Sequence, residues 1–251
     1  MPFRSEARIP NPASTPDSGT SGQDPRHGPL PPLLLVLTVV TGIVDAVSYL
    51  KLGHVFVANM TGNVVFLGFA AAGVSDFSIA ISLVAIGAFL LGALAGGRLG
   101  TSAGQHRGRL LALATYAQIG LVGLALAVSL VSFDTSPGIS PYALVLLLAL
   151  AMGLQNATAR RLGVPDLTTT VLTLTLTGLS ADSHFAGGAN PNVRRRLLAT
   201  GAMLLGAAIG AVLLSHVGLS STLALALALL AVNGLAGYRF SSSAAPWTAA
   251  K

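Results

Sequence analysis

Asp45 is the only carboxylate well inside an apolar stretch of this 251-residue chain. A charge at the centre of a bilayer costs at least about 2.5 kcal/mol, so such an acid must face a bundle interior, be paired, or carry a proton. It reads either as a proton or cation site, or as a neutral Asp hydrogen-bonded to a neighbouring helix. Two further groups of polar residues interrupt apolar sequence. The first is Asn59, Thr61 and Asn63; the second is Thr169, Thr170, Thr173 and Thr175, preceded by Gln155 and Asn156. Each group stands where a helix is expected to begin. A helix start carries free N–H groups and a positive end, which favour an anion or a polar solute. The same Asn and Thr side chains can instead cap those donors themselves. These ten residues, Asp45 included, are the candidate substrate- or ion-binding set.

Other chemistries find no support in the residue pattern. There is no Cys, so no thiolate nucleophile and no Cys-ligated metal. His54, His184 and His216 are scattered without metal-ligand spacing. Ser48 and Ser180 lack the surroundings of a nucleophile elbow, and no Gly-rich phosphate loop is present. No catalytic residue, metal or cofactor is therefore expected, and the chain does not read as an enzyme.

The elements that must position the candidates are membrane helices. Apolar residues make up 53% of the chain and charged residues only 9%, with a mean hydropathy of +0.75. Soluble domains run near 25% charged. The lipid bilayer is thus the first partner. The net charge of +6 does not point to nucleic acid, because Lys and Arg lie between apolar runs rather than on one basic face. Residues 1–32 are rich in Pro, Ser, Gly and Asp and read as a disordered polar tail. A membrane domain is expected over 33–239, in halves of about 33–132 and 141–239, with a short C-terminal tail over 240–251. Eight apolar runs fall at about 33–50, 54–73, 77–98, 109–132, 141–160, 165–182, 195–216 and 219–239. Six read as plain spanning helices. The second and sixth open with Gly, polar and helix-poor residues before turning apolar, as expected of broken or re-entrant segments. Gly92-x-x-x-Gly96 and Gly206-x-x-x-Gly210 read as close helix contacts.

The two halves repeat in order: span, odd segment, span, span. Gly42 to Ala46 lines up with Gly153 to Ala157 at an offset of 111, and Met60 to Asn63 with Leu172 to Thr175 at 112. Charge selects among the topologies. With both odd segments re-entrant and the N-terminus inside, thirteen Lys and Arg lie inside and Lys51 alone outside. With both spanning, eight lie inside and six outside; with only the first spanning, the ratio is eleven to three. The first arrangement treats both halves alike and makes them inverted repeats. The expected fold class is therefore an all-α integral membrane protein of about six transmembrane helices plus two re-entrant or broken segments.

The residues Gly42 to Leu50, followed by Val57-Ala58-Asn59-Met60-Thr61-Gly62-Asn63, resemble the YoaK-type family of small bacterial membrane proteins, a family of unknown function. Gly153 to Ala157 and Asp166 to Thr173 resemble that family's second-half signature. The likeness covers about 33–239. It departs at Leu174, where the family motif carries a Gly suited to close helix approach. The resemblance implies a multi-pass protein of the bacterial cytoplasmic membrane with about six spans; it implies no activity. Repeat symmetry and paired polar discontinuities favour a transporter or channel for a small molecule or ion, with its site between the odd segments. The alternatives are a non-catalytic membrane scaffold and, behind it, an intramembrane enzyme. A homo-oligomer is compatible with the pattern.

Overall fold

The computed structural model describes residues 26–103, 105–132, 140–170, 172–189, 192–242 and 245–249. Lipid offers no hydrogen bonds, so backbone at membrane depth must bond within itself, and the apolar runs accordingly form helices. Eight α-helices follow in order: α1 (Leu30–Lys51), α2 (Met60–Ala71), α3 (Ile79–Ala103), α4 (Arg107–Ser132), α5 (Ser140–Leu162), α6 (Leu172–Ala181), α7 (Val193–His216) and α8 (Leu219–Ser241). No strand occurs among the described residues. Six helices are long and apolar enough to cross a membrane; α2 and α6 are not. At 1.5 Å per residue, the 12 residues of α2 reach about 18 Å and the 10 of α6 about 15 Å, roughly half of a bilayer core. The chain is an all-α integral membrane protein.

The polar-tail reading over 1–32 falls largely outside the described residues. Where it overlaps them it stops short, because Leu30, Pro31 and Pro32 already belong to α1. Proline suits a first turn, where its missing N–H has no partner to lose. The C-terminal tail is likewise anchored. Residues Pro246–Thr248 form a 3-10 turn whose Trp247 is buried.

α1 and α5 are the central helices. Their most apolar stretches are 72% and 61% buried, against 17–39% for the other four spans. α1 packs along α7, and α5 along α3, while α4 packs against both α8 and α5. Glycines set the closest approaches. A Cβ on Gly206 would overlap the Val39 carbonyl oxygen, and one on Gly92 the Leu150 carbonyl oxygen. A Cβ on Gly42 would strike the backbone of Met203 and Ala207; one on Gly153 would strike Phe89 and Ala93. Gly210 rests against Ile43 and Ala46, Gly96 against Leu154 and Ala157. In every pair the α1 and α5 residues differ by 111 positions, and the α3 and α7 residues by 114. The small-residue patterns thus act as backbone contacts, as the spacing predicts.

Arg107 ties one end of the bundle together. Its guanidinium donates to the carbonyls of Arg26 (3.1 Å), Trp247 (3.2 Å) and Leu162, and lies 3.2 Å from His27 Nδ1. The start of α1, the start of α4 and the end of α5 therefore meet at this end. α1 and α5 run in opposite directions. α2 follows the far end of α1, and α6 follows the near end of α5. The two short helices consequently sit at opposite ends of the bundle.

Candidate functional site

The sequence-selected residues fall into two clusters, one at the mouth of each short helix. Seven residues separate Lys51 from Asn59, and they run as irregular chain beginning at Gly53 (φ 103°) and His54 (φ 56°). This chain turns back along α1. Asp45, 4% exposed, receives it: Oδ1 accepts the N–H groups of Val57 and Ala58, each at 2.9 Å, and Oδ2 accepts the Asn59 side-chain amide. All three partners are donors, the set an acceptor-only carboxylate takes. They are not the oxygen ligands a cation requires. Asn63, fully buried on α2, closes a second ring: its Oδ1 accepts the Phe56 N–H at 2.7 Å and its amide donates to the Phe56 carbonyl at 2.5 Å. Gly62 is required beside it, since a Cβ there would press into the Phe56 ring.

The second cluster repeats one of these bonds. Asn156 on α5 accepts the Thr170 hydroxyl at 2.5 Å, fourteen residues away, as Asp45 accepts from Asn59. The Asn156 amide donates within its own helix to the Met152 carbonyl at 3.0 Å. Thr169 (φ 65°) and Thr175 are buried. A small cavity of about 10 Å³ lies beside them, lined in part by Thr38 of α1 and by Asp166, Thr169 and Thr170. Asp166 (φ 61°) accepts from Arg196 at 3.1 Å, and Arg196 also pairs with Asp182 at 2.8 Å.

Three candidates stand apart. Thr61 and Thr173 are exposed on the outer faces of α2 and α6. Gln155 belongs to neither mouth. Its amide donates to the Thr41 hydroxyl (2.8 Å) and the Leu37 carbonyl (3.3 Å), and its oxygen accepts from Gln118 (2.8 Å). It thereby joins α1, α5 and α4 in the buried interior. Gln118, Arg196 and Arg107 were missed in the sequence. Each looks there like an ordinary helix polar residue or a flanking positive charge, and only the partner across the fold reveals its role. The ring cluster around α2 was missed as well. Tyr49 stacks on Phe56 at 5.1 Å and Phe66 on Phe77 at 4.9 Å. A spacing of seven and of eleven residues across a turn leaves no periodic signal. Leu174 explains its own departure from the Gly pattern: it is 72% exposed, so no close helix approach is needed there.

Among the described residues no group of His, Asp and Glu could hold a metal ion. The mouths are instead built from backbone donors, amides, hydroxyls and one carboxylate each, Asp45 and Asp166.

A family described as "Protein of unknown function (DUF1275)" matches residues 33–236. The chain belongs to this family. It is also 34% identical over 150 residues to the UPF0700 transmembrane protein YoaK of Bacillus subtilis (strain 168). That stretch covers 60% of this chain and 65% of the relative, a little under two thirds of its length. No solved structure matches the chain. The family model spans both mouths and both central helices, in line with the expected YoaK-type resemblance.

Proposed function

We propose that this protein is a transporter or channel for a small solute, built from two inverted halves. The observation that carries the reading is the matched pair of non-spanning segments. Each ends in a half-length helix, and each mouth is pinned to a central span by a polar bond fourteen residues long in sequence, Asn59 to Asp45 and Thr170 to Asn156. Irregular backbone at membrane depth is kept where it lines a cavity or is buried in protein. Paired broken helices in corresponding halves mark the binding region of many transporters. The shared 111 and 114 offsets of the glycine contacts, together with the opposed directions of α1 and α5, support inversion.

In this reading the membrane is the bacterial cytoplasmic membrane, with the N-terminus inside, because that orientation keeps nearly all Lys and Arg inside. The chain does not act as an enzyme. The direct test is solute uptake into proteoliposomes against a panel of small ions and neutral solutes. Counterflow or flux above empty vesicles supports transport; none across the panel, with folded protein, ends it.

A non-catalytic scaffold is the second reading. It is favoured by the first mouth, where Asp45 and Asn63 satisfy the irregular chain completely enough to serve as plain structural anchors. It predicts that substitutions at the second mouth change nothing except stability.

A further inference from the structure

The two mouths differ in one respect that points to a ligand. At the first mouth a protein acid meets the donors of the irregular chain. Val57 and Ala58 direct their N–H groups at Asp45 immediately before α2 opens. At the second mouth the corresponding position is Asn156, and both ends of its amide are engaged elsewhere, with Thr170 and Met152. No acid replaces Asp45. The donors nevertheless remain. Thr169 is 4% exposed, and its hydroxyl has no hydrogen-bond partner. Among the described residues, the N–H groups of Thr168 and Thr169 donate to no acceptor. A buried polar group without a partner requires an explanation.

The cavity supplies one. It is lined by Thr168, Thr169, Thr170 and Leu172, with Thr38 and Asp166 on its other walls. Its volume of about 10 Å³ is close to the room one water-sized sphere occupies. α6 opens at Leu172, whose own N–H donates to the Thr170 carbonyl at 3.0 Å, and the positive helix end lies at this wall. We propose that the cavity binds a monatomic anion of halide size, which takes the place at the second mouth that the Asp45 carboxylate takes at the first. The inference rests on the reading of the α6 mouth as a solute site and narrows that solute to a halide.

Asp166 is the one group at the cavity that would repel an anion. Arg196 holds it at 3.1 Å and also pairs with Asp182, so its charge is partly compensated there. The hydroxyls of Thr38 and Thr170 already donate to the Leu34 carbonyl and to Asn156, and they offer only lone pairs. With Asp166 they are the oxygens a sodium ion would use. The unpaired groups decide the sign: the two backbone N–H groups can only donate, the helix start is positive, and the Thr169 hydroxyl is able to donate.

The test is thermal unfolding of the full chain in detergent, starting from chloride-free gluconate buffer. Choline chloride and sodium gluconate are titrated separately. The expected result is a saturable rise in Tm with choline chloride and none with sodium gluconate. Asn156→Asp, which supplies the missing carboxylate, abolishes the chloride response. Thr169→Ala weakens the apparent chloride affinity by about tenfold, the loss expected for one hydrogen bond to a charged group, and Thr169→Ser restores it. A rise with sodium gluconate overturns the proposal in favour of a cation. No response to either salt overturns it in favour of water. A chloride response that survives both variants places the anion elsewhere and overturns it too. Flux is measured apart: chloride binding without flux ends the transport reading and leaves the site standing. Flux without the chloride-specific rise does the reverse.

Discussion

Asn59 reaches back fourteen positions to Asp45 on α1, and that bond folds the irregular chain before α2 back along α1. Asp45 therefore orders backbone: two of its three partners are main-chain N–H groups. Asp45→Asn keeps the size of the side chain but replaces one acceptor oxygen with a donor that faces other donors. Hydrogen bonds to charged groups contribute about 1.5–3 kcal/mol each, and stranding a buried donor costs a comparable amount. The expected outcome is a loss of about 2–4 kcal/mol of stability, read by thermal unfolding in detergent. Asn59→Ala, which leaves both backbone bonds intact, should cost about 1–2 kcal/mol. Equal losses in the two variants would mean that the one oxygen left by Asp45→Asn still accepts both backbone N–H groups and that only the Asn59 bond is lost.

The glycine contacts give a prediction about the halves. Gly92 and Gly206 each lie so close to a facing carbonyl, of Leu150 and Val39, that no Cβ fits. Neither facing group is a flexible side chain, so α3 and α7 must each shift to admit a methyl. Overpacking of this kind costs about 1–3 kcal/mol. Gly92→Ala and Gly206→Ala should therefore destabilise by similar amounts. Gly87→Ala and Gly201→Ala, whose added methyls meet nothing, should be neutral or slightly stabilising through helix propensity. A neutral Gly206→Ala would contradict the packing of α7 on α1.

Helix number, the two odd segments and the close glycine contacts were legible in the sequence because each has a local signature. Twenty apolar residues in a row mean a span. Gly, Asn and Thr clustered at the start of an apolar run mean a segment that cannot be helical throughout. The partition of the candidates was not legible. Gln155 and Asn156 are neighbours in sequence, and adjacent helix positions point about 100° apart, so one joins the interior amide network while the other faces Thr170. Thr61 and Thr173 share a motif with buried residues yet lie on outward faces, since a short helix has two sides and the motif marks only its start. Arg196 reads as one of three basic residues that set orientation. Its ion pairs with Asp166 and Asp182 depend on residues 30 and 14 positions away, a separation that carries no periodicity.

Orientation is testable without background, because the native chain contains no Cys. Single cysteines at Ser75, Ser102 and Ser183 mark the α2–α3 connection, the end of α3 and the turn after α6. With two re-entrant segments entering from opposite faces, a membrane-impermeant thiol reagent on intact cells should label Ser75→Cys alone. Labelling of Ser183→Cys as well would mean that the sixth segment crosses. Labelling of Ser102→Cys without Ser75→Cys would place the α3–α4 end outside and remove the charge argument for the N-terminus.

The last prediction concerns the end of the bundle held by Arg107. This side chain is 5% exposed and carries backbone acceptors from three separate places: Arg26 before α1, Leu162 at the end of α5, and Trp247 in the C-terminal turn. Trp247 is the only Trp in the chain, and its ring covers Gly28, where a Cβ would meet the indole. Its fluorescence therefore reports this junction alone. Arg107→Ala removes every one of these bonds and leaves three carbonyls to find other donors, and the C-terminal turn should then leave its seat. The expected outcome is a red shift of the emission maximum and faster quenching by iodide. Gly28→Val should produce the same shift by a different route, because it displaces the ring sterically while Arg107 stays in place. Arg107→Lys separates charge from geometry: one ammonium cannot serve carbonyls that lie in several directions as a planar guanidinium does, so it should recover only part of the native emission. If Arg107→Ala left the emission and quenching of Trp247 unchanged, the turn would be held by its other contacts, with Gly28, Phe240 and His106, and Arg107 would join only the ends of α1, α4 and α5.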